Sequence, residues 1–480
     1  MASKNLLAGL LLAAAVPSAA QNENAVWLFN NETGLDFMTD PPTVLHDYFG
    51  YGGNVSMMSD QNGQLVLFAD DEHIWNAQNE VVANGDGLIG TNGAGGQSNM
   101  ILPWPGHPGE YYMIQVRGAV GNDPDAHARY HRIDMNVSGG SGEVLELNAV
   151  LADSAGGYVT SVLDSVGTGI WVILHHLNAP RFMAYHLDVS GLSTTPVVSE
   201  AGPPIPIGSI YDRVGILRPS PHGDRLYLAK YYNMWANDAY LHQMEFNRQT
   251  GEISQFQTVY GPSSHTGLEI SPSGQFLYDI TYVCDSGIAT RLWQFDVSSG
   301  DSATITASRT LVFEAPIVPF GGCQGRQGGL ALGIDSRIYC GISFGHYLGV
   351  INNPDLPAPA CDYVHEGLYL EGDSSWTWLP NQMREYPIDP HDALAEPEVL
   401  GGLRIHPNPA IEGVRIILTD EDVRSLALVD ATGRTVREMT RTAGQRQVRI
   451  ERGDLAPGIY QVIARNAGVV AVAAGSVVFE

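Results

Sequence analysis

Lysine is almost missing from this chain. Only Lys4 and Lys230 occur in 480 residues, and 52 acidic residues face 25 basic ones. A net charge of −27 argues against nucleic acid as a partner, because phosphate binding needs clustered Lys and Arg. Long apolar runs are also missing. After the first twenty residues no segment reaches the roughly 18 uninterrupted apolar residues of a membrane-spanning helix. Cysteine is scarce, at positions 284, 323, 340 and 361, and none forms C-x-x-C. That spacing supports neither a zinc ribbon nor a thioredoxin-like site. H-E-x-x-H, G-x-S-x-G, a Walker A loop and sialidase-type Asp boxes are absent too. No catalytic residue, metal or cofactor is therefore assigned from sequence.

What is present is glycine, with 54 residues, and proline, with 28, in a chain only 16% charged. That balance favours an all-β protein of short strands and many turns. The N-terminus reads as a secretory signal over 1–20. Lys4 is followed by the apolar run LLAGLLLAAAV (6–16), and Ser18-Ala19-Ala20 suits cleavage between Ala20 and Gln21. Charge is unevenly divided. From residue 401 onward ten arginines meet nine acids, so that segment is +1 and the remainder −28. The break predicts a second domain. A Lys-poor acidic surface fits either a saline habitat or a GC-rich genome that favours Arg.

Between 25 and 380 one unit recurs. PSPHGDRLYLAKYY (219–232), ISPSGQFLYDITY (270–282) and GIDSRIYCGIS (333–343) each place a polar turn before an alternating strand through Tyr227, Tyr278 or Tyr339. QNGQLVLFAD (61–70) and GEYYMIQV (109–116) are further copies. A partner element, an alternating strand ending in a turn-forming residue, recurs at Asp134, Asp188, Asn247 and Asp296. A period of about 50–60 residues, several strands per unit and no helical periodicity predict a β-propeller. The length gives six to eight blades, with seven favoured, and AVWLFN (25–30) is placed to close the ring against the last strands. A β-sandwich array is the alternative. Residues 381–400, rich in proline and without pattern, read as a linker. The short alternating strands of 401–480 read as a small Ig-like β-sandwich.

That last segment carries Pro407-Asn408-Pro409, Asp430 with Gly433-Arg434, and Gly458-Ile459-Tyr460 in order. Over about 404–480 it resembles the type A C-terminal sorting domain of the type IX secretion (Por secretion) system of Bacteroidota. The resemblance implies delivery to the cell surface or medium, with the secretion machinery and its sortase-like peptidase as partners. The residues agree: Pro-Asn-Pro fixes an extended entry, and Asp-x-x-Gly-Arg suits a hairpin turn. Stretches such as QSNMILPWPGHPGEYYMI and YLGVINNPDLPAPACDYVHEGLYL resemble exported propeller-like proteins of the same bacteria. Those relatives imply a fold and an address and assign no activity.

Other candidates have plainer readings. Gly85, Gly87 and Gly90 spell G-x-G-x-x-G, but no helix pattern follows, so they read as a loop. Asp123, Asp125 and His127, and the DDEH run at 70–73, lack a full ligand set and read as solvated loops. His175 and His176 point to opposite faces of a strand. Most aromatics fall inside strands, leaving Trp104, Trp376 and Trp378 as candidates for a glycan-binding face. Export permits oxidation, so at least one disulfide is expected, between Cys323 and Cys340, against the alternative of four buried thiols. Function is expected to be binding or adhesion to a surface protein or glycan. The rival is a hydrolase of extracellular polymers whose carboxylates converge on the propeller channel.

Overall fold

Each tyrosine-bearing repeat folds as a tight turn leading into the second strand of a four-stranded antiparallel sheet. Tyr227, Tyr278 and Tyr339 occupy matching buried positions in three successive sheets. The partner repeats form the third strand and its exit turn. There Asp134, Asp188, Asn247 and Asp296 each accept the backbone N–H two residues on, at 2.7–3.0 Å. Short polar side chains recur at this point because they close that turn with their own oxygen. The structure, a computed structural model, describes residues 22–479 except 30–31, 49–54, 91–96, 118–125, 178, 203–214, 231–238, 284–288, 316–326, 376–377, 386, 388–402, 407–412, 419–422, 430–433, 441–446, 454 and 467–470. The chain divides into two compact units, 1–389 and 390–480.

Seven blades make up the first unit among the described residues. Blade 1 holds Val26–Phe29, Thr33–Asp36 and Thr43–Leu45. The first strands of blades 2 to 7 are Ser56–Ser59, Asn99–Pro103, Val159–Leu163, Gly215–Pro219, Ser264–Ile270 and Gln327–Leu332. From blade 2 round to blade 7, successive members of this set lie side by side, so these strands line a central channel. The outermost strands of blades 2 and 3, Val81–Asp86 and Glu143–Ala152, also pair through Ala83 and Glu143 and join the two blades into one sheet. One short α-helix, Ser302–Ala307, sits between the last two strands of blade 6, with Asp301 accepting the Thr304 N–H at its start. Apolar clusters fill the gaps between blades. Trp27, Phe29 and Leu35 of blade 1 pack against Tyr339, Leu348 and Val350 of blade 7, which closes the ring as the sequence predicted for AVWLFN. A blade left alone would expose both these faces, and the closed ring removes them from water.

Blade 1 is irregular in a way that places the site. The chain before its first strand lies beside the turn that ends the first strand of blade 2, with Asn22 Nδ2 donating to Gln61 O. Val26–Phe29 therefore runs opposite to Ser56–Ser59. It corresponds to the second strand of the other blades, and the innermost position of blade 1 is left for another segment. Leu379–Glu385 lies against blade 1, with Leu379 packed in the cluster of Trp27 and Gln382 donating to Val26 O.

The second unit is a sandwich of two antiparallel sheets. Leu403–His406, Gly413–Leu418 and Gln447–Glu451 form one. Thr435–Thr440, Val423–Val429, Gly458–Asn466 and Ala471–Phe479 form the other. Val414, Ile416 and Ile450 from one sheet meet Leu426, Val462 and Phe479 from the other in a shared core.

Candidate functional site

The channel of the propeller is closed by the chain itself. Asn381 is buried, with 2% of its surface exposed, and its amide bonds in four directions. Its Nδ2 donates to Asn99 O at 3.2 Å in blade 3 and to Val159 O at 3.1 Å in blade 4. Its Oδ1 accepts from Gln97 Nε2 and from Arg218 Nη1 of blade 5, both at 3.2 Å. Next along the chain, Gln382 donates to Val26 O in blade 1, while Met383 O accepts from Asn24 Nδ2 at 2.7 Å. Residues 381–384 open the stretch read from the sequence as a linker, yet they hold blades 1, 3, 4, 5 and 6 together from inside. The reason is local: a polar segment without strand periodicity can still be buried when its donors and acceptors all find partners.

Arg384 supplies the contact to blade 6. It forms an ion pair with Glu269 and donates to Ile270 O at 3.3 Å. Glu269 also faces Arg218, at 3.5 Å. Arg218 in turn donates to Leu268 O and Leu330 O, at 3.3 and 3.2 Å, reaching blades 6 and 7. Burial lowers the Arg218 guanidinium to about 10. Burial, with the charge of Arg218 adding to it, lowers Arg384 to about 9. Both keep their proton at neutral pH, so Glu269 is the counterion between two buried cations. A cavity of about 530 Å³ opens beside this triad, walled by Trp27, Pro221, Pro272 and Ile334.

A second cavity, of about 260 Å³, lies at the turn between the first two strands of blades 2 and 3. Trp104 lines it, but not as a free platform. Its ring stacks on His107 at 3.8 Å and its Nε1 donates to Asp188 O at 3.0 Å. Trp378 is half-buried and packs against the core between blades 5 and 6, while Trp376 lies outside the described residues.

Another polar network braces blade 6. His265 and Asp279 are fully buried, with His265 Nδ1 2.9 Å from both carboxylate oxygens. Alongside, Trp293 Nε1 donates to Thr281 Oγ1 at 2.9 Å. These bonds tie three neighbouring strands together. At the ring seam His46 Nδ1 sits 2.6 Å from Asp373, which raises its pKa, with Glu371 adding to the effect.

The remaining sequence candidates have structural places. Asp70 is buried and accepts the N–H groups of Glu72 and His73 at 2.8 and 2.7 Å, so DDEH is a turn that caps itself. Gly85 lies within an outer strand of blade 2, and Gly87 takes a φ of +84° in the connection after it. Asp123 and Asp125 fall outside the described residues. Among the described residues no group of three or more His, Cys, Asp or Glu could hold a metal ion. His175 is buried edge-on against Phe182, and His176 beyond it is half-buried. Cys340 is a free thiol with 0% exposure, packed among Leu330, Ile338 and Ile351 between blades 6 and 7, while Cys323, its expected partner, lies outside the described residues. Cys361 is likewise free and buried, whereas Cys284 and Cys323 lie outside the described residues.

In the second unit Tyr460 donates its hydroxyl to Ala456 O at 2.8 Å and packs against Phe479, fixing the corner from which Gly458–Asn466 departs. Arg434 is exposed just before Thr435–Thr440. Ala20, Gln21, Pro407, Asn408, Pro409, Asp430 and Gly433 lie outside the described residues.

Residues 404–473 match the secretion system C-terminal sorting domain family. The chain carries a type IX sorting tail. Such a tail indicates a secreted protein that engages that secretion machinery. No curated protein matches the chain. Among solved structures it is similar to the β-propeller domain of Cps50 (Swd1) from Myceliophteria thermophila, at 12% identity and a TM-score of 0.37, covering 67% of this chain and 93% of that one. It is also similar to the periplasmic gluconolactonase PpgL from Pseudomonas aeruginosa, at 14% identity and 0.32, covering 77% and 96%. A functionally unknown protein from Desulfotomaculum acetoxidans gives 12% and 0.36, covering 73% and 82%. The propeller assignment rests on the strand order above.

The channel residues carry a signal in the sequence. Arg218 and Glu269 sit at matching places in two successive repeats, LRPSP and LEISP, one a guanidinium and the other a carboxylate on the innermost strand. Opposite charges at one repeat position, both certain to be buried, require each other or a third partner.

Proposed function

We propose that this chain is an exported interaction module. A signal peptide of residues 1–20 is removed between Ala20 and Gln21, and the 401–480 domain directs the type IX machinery of a Bacteroidota cell to place the ring at the outer-membrane surface or in the medium. There the loop faces of the propeller bind a surface protein or glycan in an adhesive role. The observation that carries this reading is the pairing of Glu269, which lines the 530 Å³ cavity together with Glu385. Asn381, Arg218, Glu269 and Arg384 occupy the place where a polymer-cleaving enzyme of this shape would gather its carboxylates, and Glu269 is held between two cations. Binding at the faces needs none of that space.

Two measurements test it. Deleting 401–480 is expected to leave the protein in the periplasm, and unchanged surface display of that truncation would remove the address. The purified ring, residues 21–389, is expected to retain selected partners on a glycan and surface-protein array without releasing fragments. Turnover of a polymer panel that is lost in Glu269→Gln would favour the hydrolase instead.

A further inference from the structure

The cavity of about 530 Å³ lies among the turns that follow the innermost strands of blades 5, 6 and 7, so it belongs to a loop face of the ring. Its size falls inside the roughly 300–1,000 Å³ range of small-ligand pockets, and its walls are mostly proline, tryptophan and aliphatic side chains. The polar groups that line it are of both kinds. Arg384 keeps 15% of its side-chain surface exposed, and among the described residues only its Nη2 is bonded, to Glu269 and Ile270 O. Glu385 is half-buried; its charge acts on Arg384, yet it forms no hydrogen bond or ion pair among the described residues. Gln382 donates from Nε2 to Val26 O and keeps Oε1 as an acceptor. A fourth group is held there at a conformational cost. In the turns after the first strands of blades 2, 4, 5 and 6 a glycine donates its N–H to the carbonyl three residues back and takes a φ of +66 to +82°: Gly63, Gly167, Gly223 and Gly274. Blade 7 makes the same bond, from Ser336 to Gly333 O, with Ser336 at +66°. That conformation strains a residue bearing a Cβ, and residues strained in this way cluster at ligand sites. Ser336 is exposed and lines the cavity.

We propose that this cavity holds a neutral hexose unit of a glycan. The inference rests on the reading of the ring as an interaction module and names the ligand and its place. A sugar hydroxyl both donates and accepts, so neighbouring hydroxyls take the Arg384 N–H groups while giving their own protons to Glu385 and to Gln382 Oε1. The ring carbons of the sugar present an apolar face to the proline and tryptophan walls. The charges decide against the alternatives. A ligand carboxylate would gain Arg384 but meet Glu385, and a ligand ammonium would gain Glu385 but meet Arg384. A neutral polyol opposes neither. Ser336, exposed beside them, adds a hydroxyl that glycine could not.

The test is calorimetric titration of the exported full-length protein with the methyl glycosides of glucose, galactose and mannose, and with methyl glucuronide and methyl glucosaminide. A neutral glycoside is expected to bind saturably, and the two charged ones about tenfold more weakly, the worth of one charged contact. Glu385→Gln is expected to weaken the neutral glycoside about tenfold for the same reason. Ser336→Gly is expected to weaken it by a smaller factor without lowering the melting temperature, because glycine adopts the left-handed φ without strain. Glu252→Gln, an exposed carboxylate on blade 5, is expected to change nothing. No binding by any neutral glycoside, equal binding of the charged ones, unaltered binding in Glu385→Gln or in Ser336→Gly, or an equal loss in Glu252→Gln would overturn the site. A protein that captures array partners yet ignores every glycoside would overturn this inference alone and leave the interaction reading standing. One that captures neither would take the interaction reading with it.

Discussion

A chain ended after Trp378 is expected to lose the cooperative folding of its ring, whereas one ended after Pro387 should melt close to the full-length ring. The two differ by nine residues that a domain boundary drawn from periodicity would discard. Those residues include Leu379, Asn381 and Met383, with 6%, 2% and 2% of their surface exposed. Burying Leu or Met contributes about 1.5–3 kcal/mol each. Removing Asn381 takes a side-chain donor from Asn99 O and from Val159 O, at about 1–3 kcal/mol per buried hydrogen bond lost. The sum reaches about 5 kcal/mol or more, which is comparable with the whole stability of an ordinary domain. Loss of Arg384 adds to it by stripping Glu269 of one cation. Circular dichroism melts and limited proteolysis of both truncations measure the difference. Matching midpoints and matching protease resistance would mean that 379–385 only rests in the channel and does not hold it.

The second large effect is expected at Glu269. Replacing it by Leu leaves buried Arg218 and partly buried Arg384 with like charges, and only Glu385 still acts on Arg384. Breaking a buried ion pair by removing one partner costs about 3–5 kcal/mol. Glu269→Gln should cost less, because its amide oxygen still accepts from one guanidinium. Arg384→Leu placed on the Glu269→Leu background is expected to restore part of the loss, since it removes one uncompensated cation. Urea denaturation midpoints across this cycle give the coupling directly. An additive cycle would mean that Glu269 and Arg384 do not interact.

The two unfavourable features of the channel, buried charge and a patternless segment, explain each other. The first blade has three strands, and Gln382 of the returning segment donates to Val26 O of its first strand. Any strand pairing there would be local and repetitive, as in the other blades. Instead the returning segment sends Asn381, Gln382 and Arg384 to different blades, so each bond closes a long loop of chain. The channel is thus held by a few side chains whose partners lie far apart in sequence, as with Asn381 and Asn99.

Sequence by itself determined the all-β class, the repeat that becomes blades, the turn chemistry at Asp134, Asp188, Asn247 and Asp296, and the sorting tail. These are legible because each depends on residues within one short stretch: alternation sets a strand face, and an Asx side chain closes its own turn. Tertiary structure alone decided that 381–384 belongs to the ring, that Trp104 is spent on Asp188 and His107, that Cys340 is a core thiol, and that Glu23, Ser59 and Asp60 share one pocket. The physical reason is closure. A blade's strands are local, but the channel and the seams between blades form only when the first blade meets the last. Partners there, such as Asn24 with Met383 or Trp27 with Tyr339, stand hundreds of residues apart and leave no period for a sequence to display.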